Sequence, residues 1–282
     1  MKEPYIIAEI GSNCFKYSSL SQNLDCAKEQ IALAKKSGAD AVKFQFFKAA
    51  DLWGPNCEGK TFAVIQDKYA MPEGWLPELE REAKRCKIDF LCSAFSVQGF
   101  TIVDEHVPYH KVASPEFRAR DIMDWCKGQR KPVIYSLGCP NHHNAPEFHP
   151  HMIDVILECV SAYPADPLHY DLFSAKQKAE EWKCRWGVSD HTKGTMLARL
   201  ARSLGASVFE KHVDFTVYGG KRTPDADVSS TGEQFRMYVN DIRKQEVVNH
   251  KNHKTLAARL YGRRKTSYGY YRPWPEGAPG VE

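Results

Sequence analysis

The sequence contains no apolar stretch of membrane-spanning length, no CxxC pair among its 9 cysteines, and no large excess of either charge. A spanning helix needs about 20 apolar residues in a row, so an integral helical membrane protein is excluded as a reading. An odd number of irregularly spaced cysteines argues against a paired-thiolate zinc site or thioredoxin-like redox chemistry, and is expected of reduced thiols. The net charge of +4 permits an anionic substrate without demanding nucleic acid, which is not an expected partner. The opening residues, MKEPYIIAEIGSN, flank a very short apolar run with acidic groups, unlike a secretory or transit leader. A cytoplasmic protein that avoids membranes is therefore the expectation.

What is present is an ordinary globular balance, 43% hydrophobic and 26% charged, over 282 residues. Short runs rich in β-branched and aromatic residues recur at 5–10, 41–47, 89–95, 110–114, 132–137, 155–161, 185–190 and 207–213. Segments with helical periodicity separate them, at 20–37, 73–87, 97–106, 119–128, 174–182, 193–204 and 230–245, the first led by Ser21 as N-cap and stopped by Gly38. Apolar strands alternating with amphipathic helices predict a parallel sheet covered by helices. Eight units favour a closed (β/α)8 TIM barrel over an open doubly wound sheet. After the fifth strand, Pro140, Pro146 and Pro150 forbid a long helix, so a loop is expected there. The expected division is a barrel over 1–247 and a basic, aromatic tail over 248–282.

In such a barrel the C-terminal strand ends build the active site. Nearly every strand here delivers polar groups at that end: Glu9 from the first, Lys43 and Gln45 from the second, Ser93 from the third, and Lys111, Ser114 and Glu116 from the fourth. Ser136 follows from the fifth strand, and Ser161 and Tyr163 from the sixth. Lys43 and Gln45 share one strand face, while Val42, Phe44 and Phe46 share the other. The apolar set suits the helix side, which turns Lys43 inward, where an anionic ligand would offset its burial. A structural ion pair with Glu210 is the competing account of Lys43.

The last two strands end in Ser189-Asp190-His191 and Glu210-Lys211-His212. Neighbouring strands place both histidines at one level, where two imidazoles could meet on a divalent ion and leave positions open for substrate oxygen. Hydrogen-bonded core histidines are the alternative. His142, His143, His149 and His151 fit no regular metal spacing and are read as a solvated loop.

Taken in order, AEIGSN (8–13), AKKSGADAVKFQFFK (34–48), KVASPE (111–116), VIYSLG (133–138), CVSAYP (159–164), GVSDHTKG (187–194), LGASVFEKH (204–212) and TPDADVS (223–229) resemble the sialic acid synthase family. The resemblance implies a TIM barrel that joins phosphoenolpyruvate to the aldehyde of an N-acylated amino sugar, releasing phosphate and a 2-keto-3-deoxy sugar acid. It implies that Lys43, Lys111, Ser114, Ser136, Ser161 and Ser189 bind phosphoenolpyruvate. His191 and His212 would hold manganese or magnesium, while Glu9, Gln45, Glu116, Tyr163 and Asp225 would handle the sugar and the protons. It also implies a homodimer. The chain departs from the family pattern at Cys14 and Leu137, and the expectation is a barrel without the family's C-terminal antifreeze-like domain. Arg263, Arg264 and Arg272 of the tail are then candidates to cover the mouth. A catalytically retired barrel that binds a ligand or a partner is the competing function.

Overall fold

The computed structural model describes residues 3–53, 67–138, 152–216, 223 and 225–245. Eight parallel strands, β1 (Tyr5–Gly11), β2 (Ala41–Phe46), β3 (Asp89–Ala94), β4 (His110–Val112), β5 (Val133–Leu137), β6 (Ile153–Cys159), β7 (Arg185–Asp190) and β8 (Val208–His212), pair in chain order. Strand β8 then pairs back onto β1, with Glu9 opposite His212. That closure makes a barrel and removes the open-sheet alternative.

The helices are α1 (Leu20–Lys36), α2 (Ala49–Trp53), α3 (Leu76–Cys86), α4 (Val97–Val103), α5 (Arg120–Gly128), α6 (Leu172–Trp182), α7 (Met196–Ser203) and α8 (Gly232–Lys244). In α3, Leu76, Leu79 and Ala83 recur on one face and are buried, and full burial contributes roughly 1.5–3 kcal/mol for each leucine. Pro77 fits its first turn, where no amide partner is lost, and Lys87 ends it in the left-handed region at φ 56°. Two sequence expectations change. The N-cap of α1 is Ser19 rather than Ser21, because the chain is already helical at Leu20 and the Ser21 hydroxyl meets Ser19 instead. The fourth strand stops at Val112, since Ser114-Pro115-Glu116 turns into a 3-10 segment. The proline-rich loop with its four histidines, the domain boundary and the tail lie outside the described residues.

Strand parity divides the interior into levels. Val42, Phe44 and Phe46 pack outward against the helices with the main core, as expected. Inward, Ile7, Ala41, Leu91, Ile134, Val155, Leu157 and Val208 fill the lower barrel with a dry apolar plug. Two residues further along the same strands, the inward positions become Glu9, Lys43, Ser93, Ser136, Cys159 and Glu210. Gly187 completes the plug level on β7, where a Cβ would sit 1.7 Å from the Val208 carbonyl oxygen. The charged layer therefore rests on hydrocarbon, and each charge in it has lost its water.

Candidate active site at the barrel mouth

A cavity of about 300 Å³ opens above that layer. Of the site residues expected from sequence, all line it except Glu116, which lies half-buried at the end of the 3-10 segment. The parity argument for Lys43 and Gln45 holds, and so does the competing ion pair. Lys43 Nζ lies 2.8 Å from Glu9 Oε2 and 3.7 Å from Glu210 Oε2, and donates to Ser93 Oγ at 2.9 Å. Burial draws the Lys43 ammonium down, but the charges of Glu210 and Glu9 outweigh it and hold it above its ordinary value.

Lys111 is in a different position. Its Nζ donates to Ser136 Oγ at 2.8 Å, and its nearest carboxylate oxygen, Glu210 Oε1, is 3.8 Å away. Burial lowers its pKa and Glu210 only partly offsets this. Lys111 is thus the less neutralised cation in the cavity, and the better anchor for an anion. Burial pushes the Glu210 carboxyl up, but Lys111 and Lys43 outweigh this and hold it ionised, helped by the Ser189 hydroxyl, which donates to it at 2.9 Å. The Ser114 and Ser161 hydroxyls share a hydrogen bond at 2.9 Å on the same side.

Glu9 is aimed by a bulge. The β1–β2 register slips between Glu9 and Gly11, and Gly11 takes φ 54°. A Cβ there would stand 2.5 Å from Asp225 Oδ2 and 3.0 Å from Gln45 Nε2, so only glycine lets those side chains meet beside Glu9, whose Oε1 accepts from Gln45 at 2.8 Å.

At the rim, the rings of His191 and His212 have centroids 5.2 Å apart, the proximity expected from neighbouring strand ends. His191 Nδ1 lies 2.6 Å from the Val160 carbonyl oxygen, which can only accept, so Nδ1 bears the proton and Nε2 keeps its lone pair. Burial, then the charge of His212, depress the His191 pKa to about 3. For His212, burial is outweighed by Asp225, which raises its pKa; burial likewise fails to prevent His212 from lowering that of Asp225. Their 3.6 Å separation is too long for a hydrogen bond, and His212 Nδ1 and Asp225 Oδ2 have no hydrogen-bond partner among the described residues. The His191 Nε2 lone pair, the His212 imidazole in its neutral form and the Asp225 carboxylate are a donor set that fits a hard-to-borderline divalent ion. No three His, Cys, Asp or Glu side chains converge as a preformed cation site among the described residues, so an ion here would take its other ligands from water or substrate.

Sequence reasoning missed part of the lining. Glu210 was weighed only as a partner for Lys43, although its two-residue spacing from His212 places it on the inward face. Cys159 has the same relation to Ser161. Leu52, Phe95, Ala113 and Pro115 form an apolar wall beyond the strand ends, where no periodic signal reaches.

A profile of the NeuB family matches residues 30–254. The chain belongs to the NeuB family. Among its relatives, the pseudaminic acid synthase of Helicobacter pylori is 29% identical over 266 residues, 86% of this chain and 75% of that one. The N,N'-diacetyllegionaminic acid synthase of Legionella pneumophila is 31% identical over 268 residues, 86% of this chain and 72% of that one. In three dimensions, the NeuB-family barrel aligns with the N-acetylneuraminic acid synthetase of Leptospira borgpetersenii at a TM-score of 0.75 and 23% identity, over 93% of this chain and 94% of the other, which bears on fold alone. The spore coat polysaccharide biosynthesis protein SpsE of Bacillus subtilis aligns at 0.73 and 25% identity, over 88% and 72%. The named relatives are sugar-acid synthases, and no described helix is long and apolar enough to cross a membrane.

Proposed function

We propose that this NeuB-family chain condenses phosphoenolpyruvate with the aldehyde of an amino sugar, giving a 2-keto-3-deoxy sugar acid and phosphate. The observation that carries the reading is the pairing of two buried lysines, each held by a serine hydroxyl, with a histidine pair lining the same cavity. Lys111 with Ser136, and the Ser114–Ser161 pair beside it, supply donors for the phosphate and carboxylate of the donor substrate. In a site closed off from water such preset donors act with little reorganisation.

The enol carbon of phosphoenolpyruvate bonds to the aldehyde carbon, and the aldehyde oxygen takes a proton. Water adds to the resulting cationic C2 and loses a proton; the hemiketal phosphate then collapses as the C2–O bond to phosphate breaks, the new hydroxyl becomes the keto oxygen, and its proton leaves with phosphate. Glu9 lines the cavity and is oriented by Gln45 and Lys43, which suits it to place that water and take its proton; Glu116, at the end of the neighbouring 3-10 segment, is the second candidate. A divalent ion, manganese or magnesium, held by His191 and His212 would supply Lewis-acid polarisation of the aldehyde. Tyr163 and Asp225 border the acceptor end.

The test is phosphate release from phosphoenolpyruvate with manganese over a panel of N-acyl hexosamines, with mass spectrometry of the product. An adduct carrying three added carbons supports the synthase. Binding of phosphoenolpyruvate and manganese without turnover would point to an aldehyde outside the panel or a missing cap partner, whereas binding of neither would favour a retired barrel. His191→Ala and His212→Ala must each abolish turnover without unfolding the protein; full activity in either refutes the metal assignment.

A further inference from the structure

Behind the histidine pair, on the helix side of the same two strands, lies a second pair of charges. Asp190 and Lys211 are register partners on β7 and β8, both essentially inaccessible to solvent, and each directly precedes one of the histidines. Asp190 Oδ1 accepts from the Thr192 amide at 2.8 Å and from the Thr192 hydroxyl at 2.7 Å, closing a turn around His191. Lys211 Nζ reaches across from β8 to lie 3.3 Å from Asp190 Oδ1, and donates to the Thr192 carbonyl oxygen. Its ammonium stands 5.3 Å from the centre of the Tyr238 ring.

Stability is a poor explanation for this arrangement. A buried ion pair commonly contributes no more than apolar residues of the same volume. The Tyr238 hydroxyl also faces the Asp190 carboxylate, so a third buried polar group is committed to the same pair. What the pair does accomplish is geometric. His191 is enclosed by the Asp190–Thr192 turn, and its backbone N–H donates to the Tyr170 hydroxyl at 2.9 Å, which in turn donates to the Ser189 carbonyl oxygen at 3.0 Å. Its carbonyl oxygen accepts from the Ala165 amide at 3.0 Å, and its Nδ1–H donates to the Val160 carbonyl oxygen at 2.6 Å. Among the described residues, the side chain from β8 that hydrogen-bonds to this turn is that of Lys211, the residue before His212.

We infer that Asp190 and Lys211 are positioning residues that set the His191 and His212 rings against each other across the β7–β8 seam. The inference rests on the reading of those histidines as a ligand pair, and it extends that reading to residues that touch neither substrate nor ion.

The experiment compares wild type with Asp190→Asn, Lys211→Met and the double variant in three measurements. In the metal-free protein, the His191 Hδ1 proton should be protected from solvent exchange by its bond to Val160, and each single variant should lose that protection while keeping its far-UV spectrum. Manganese affinity, read by the electron paramagnetic resonance of the free ion, should weaken by about 10-fold or more, the size typical of losing an outer-sphere support. Thermal stability of the double variant should be unchanged or higher. Folded variants with wild-type exchange protection and wild-type manganese affinity overturn the inference; so does a double variant that cannot fold, which would make the pair structural. If His191→Ala leaves wild-type manganese binding intact, the ligand reading fails, and the exchange measurement still decides whether the pair positions the ring.

Discussion

Tyr163 lies flat on His191, with ring centroids 4.3 Å apart and planes 29° apart, and meets His212 edge-on at 5.7 Å. The tyrosine is 44% exposed, so its outer face forms part of the entrance while its inner face holds the histidine rings from above. Such contacts contribute about 0.5–1.5 kcal/mol beyond burial. Tyr163→Phe should retain the stack and most of kcat. Tyr163→Ala should raise the KM for the aldehyde by about 10-fold with that for phosphoenolpyruvate within 2-fold, which steady-state kinetics in both substrates would check.

The two lysines should fail in different ways. Lys111→Met removes the cation with the weaker carboxylate contact, and loss of charge-assisted bonds of about 1.5–3 kcal/mol predicts a rise of about 10- to 100-fold in the KM for phosphoenolpyruvate with little change in melting temperature. Lys43→Met leaves Glu9 and Glu210 buried without their shared cation. Removing one partner from a buried pair costs about 3–5 kcal/mol, so this variant should lose stability first, measurable as a lower denaturant midpoint.

Gly11→Ala places a methyl group 2.5 Å from Asp225 Oδ2, at a backbone angle that also costs an L-residue about 1–2 kcal/mol. The expected outcome is a folded protein with turnover reduced at least about 100-fold, in line with the cost of a misplacement near 1 Å. An active Gly11→Ala protein would show that Asp225 and Gln45 need not meet beside Glu9.

Acid should destabilise the barrel in two stages through one partly buried cluster. Burial holds the His110 imidazole below its ordinary pKa despite Asp104, whose carboxylate lies 2.7 Å from Nε2. The unfolded chain therefore takes up that proton first, and stability present above about pH 6.5 declines as pH falls below it. Burial pushes the Asp104 carboxyl up, but bonds to His110 and Lys131 outweigh this and lower it, so its share is present above about pH 4 and is lost on further acidification. His110→Phe should remove the first decline and shrink the second, because Asp104 then keeps only Lys131, seen by comparing melting temperatures from pH 8 to 4.

The barrel was legible because short apolar runs alternate with periodic helices. Parity turned Lys43 and Gln45 inward, and position at the ends of neighbouring strands brought out His191 and His212. Three features were not accessible. The partners of Lys43 depend on which inward carboxylates reach it across the barrel, a distance no strand pattern encodes. Whether Glu116 borders the cavity depends on the 3-10 turn that Pro115 imposes after β4, and a linear motif does not reveal that rotation. Leu52 reaches the cavity from the short helix α2 and Phe95 from the bend after β3, where neighbours in space are unrelated to neighbours in sequence. The weight given to Lys43 as a free anion anchor also shifts, since two carboxylates share its charge and Lys111 is the more available cation.

Asn13 donates from its side-chain amide to the Val213 carbonyl oxygen, 200 residues away, at 2.9 Å, and the first strand finds its second neighbour only in the last. A growing polypeptide therefore synthesises Glu9 long before His212 exists to lie beside it. Until β8 arrives, the lysines on β2 and β4 have no Glu210, and the plug beneath them has an open side. Ordered burial of the charged layer is thus an all-or-none event reserved for the end of synthesis, and arrested chains ending before residue 208 should be recognisable by protease sensitivity throughout, β1 and β2 included.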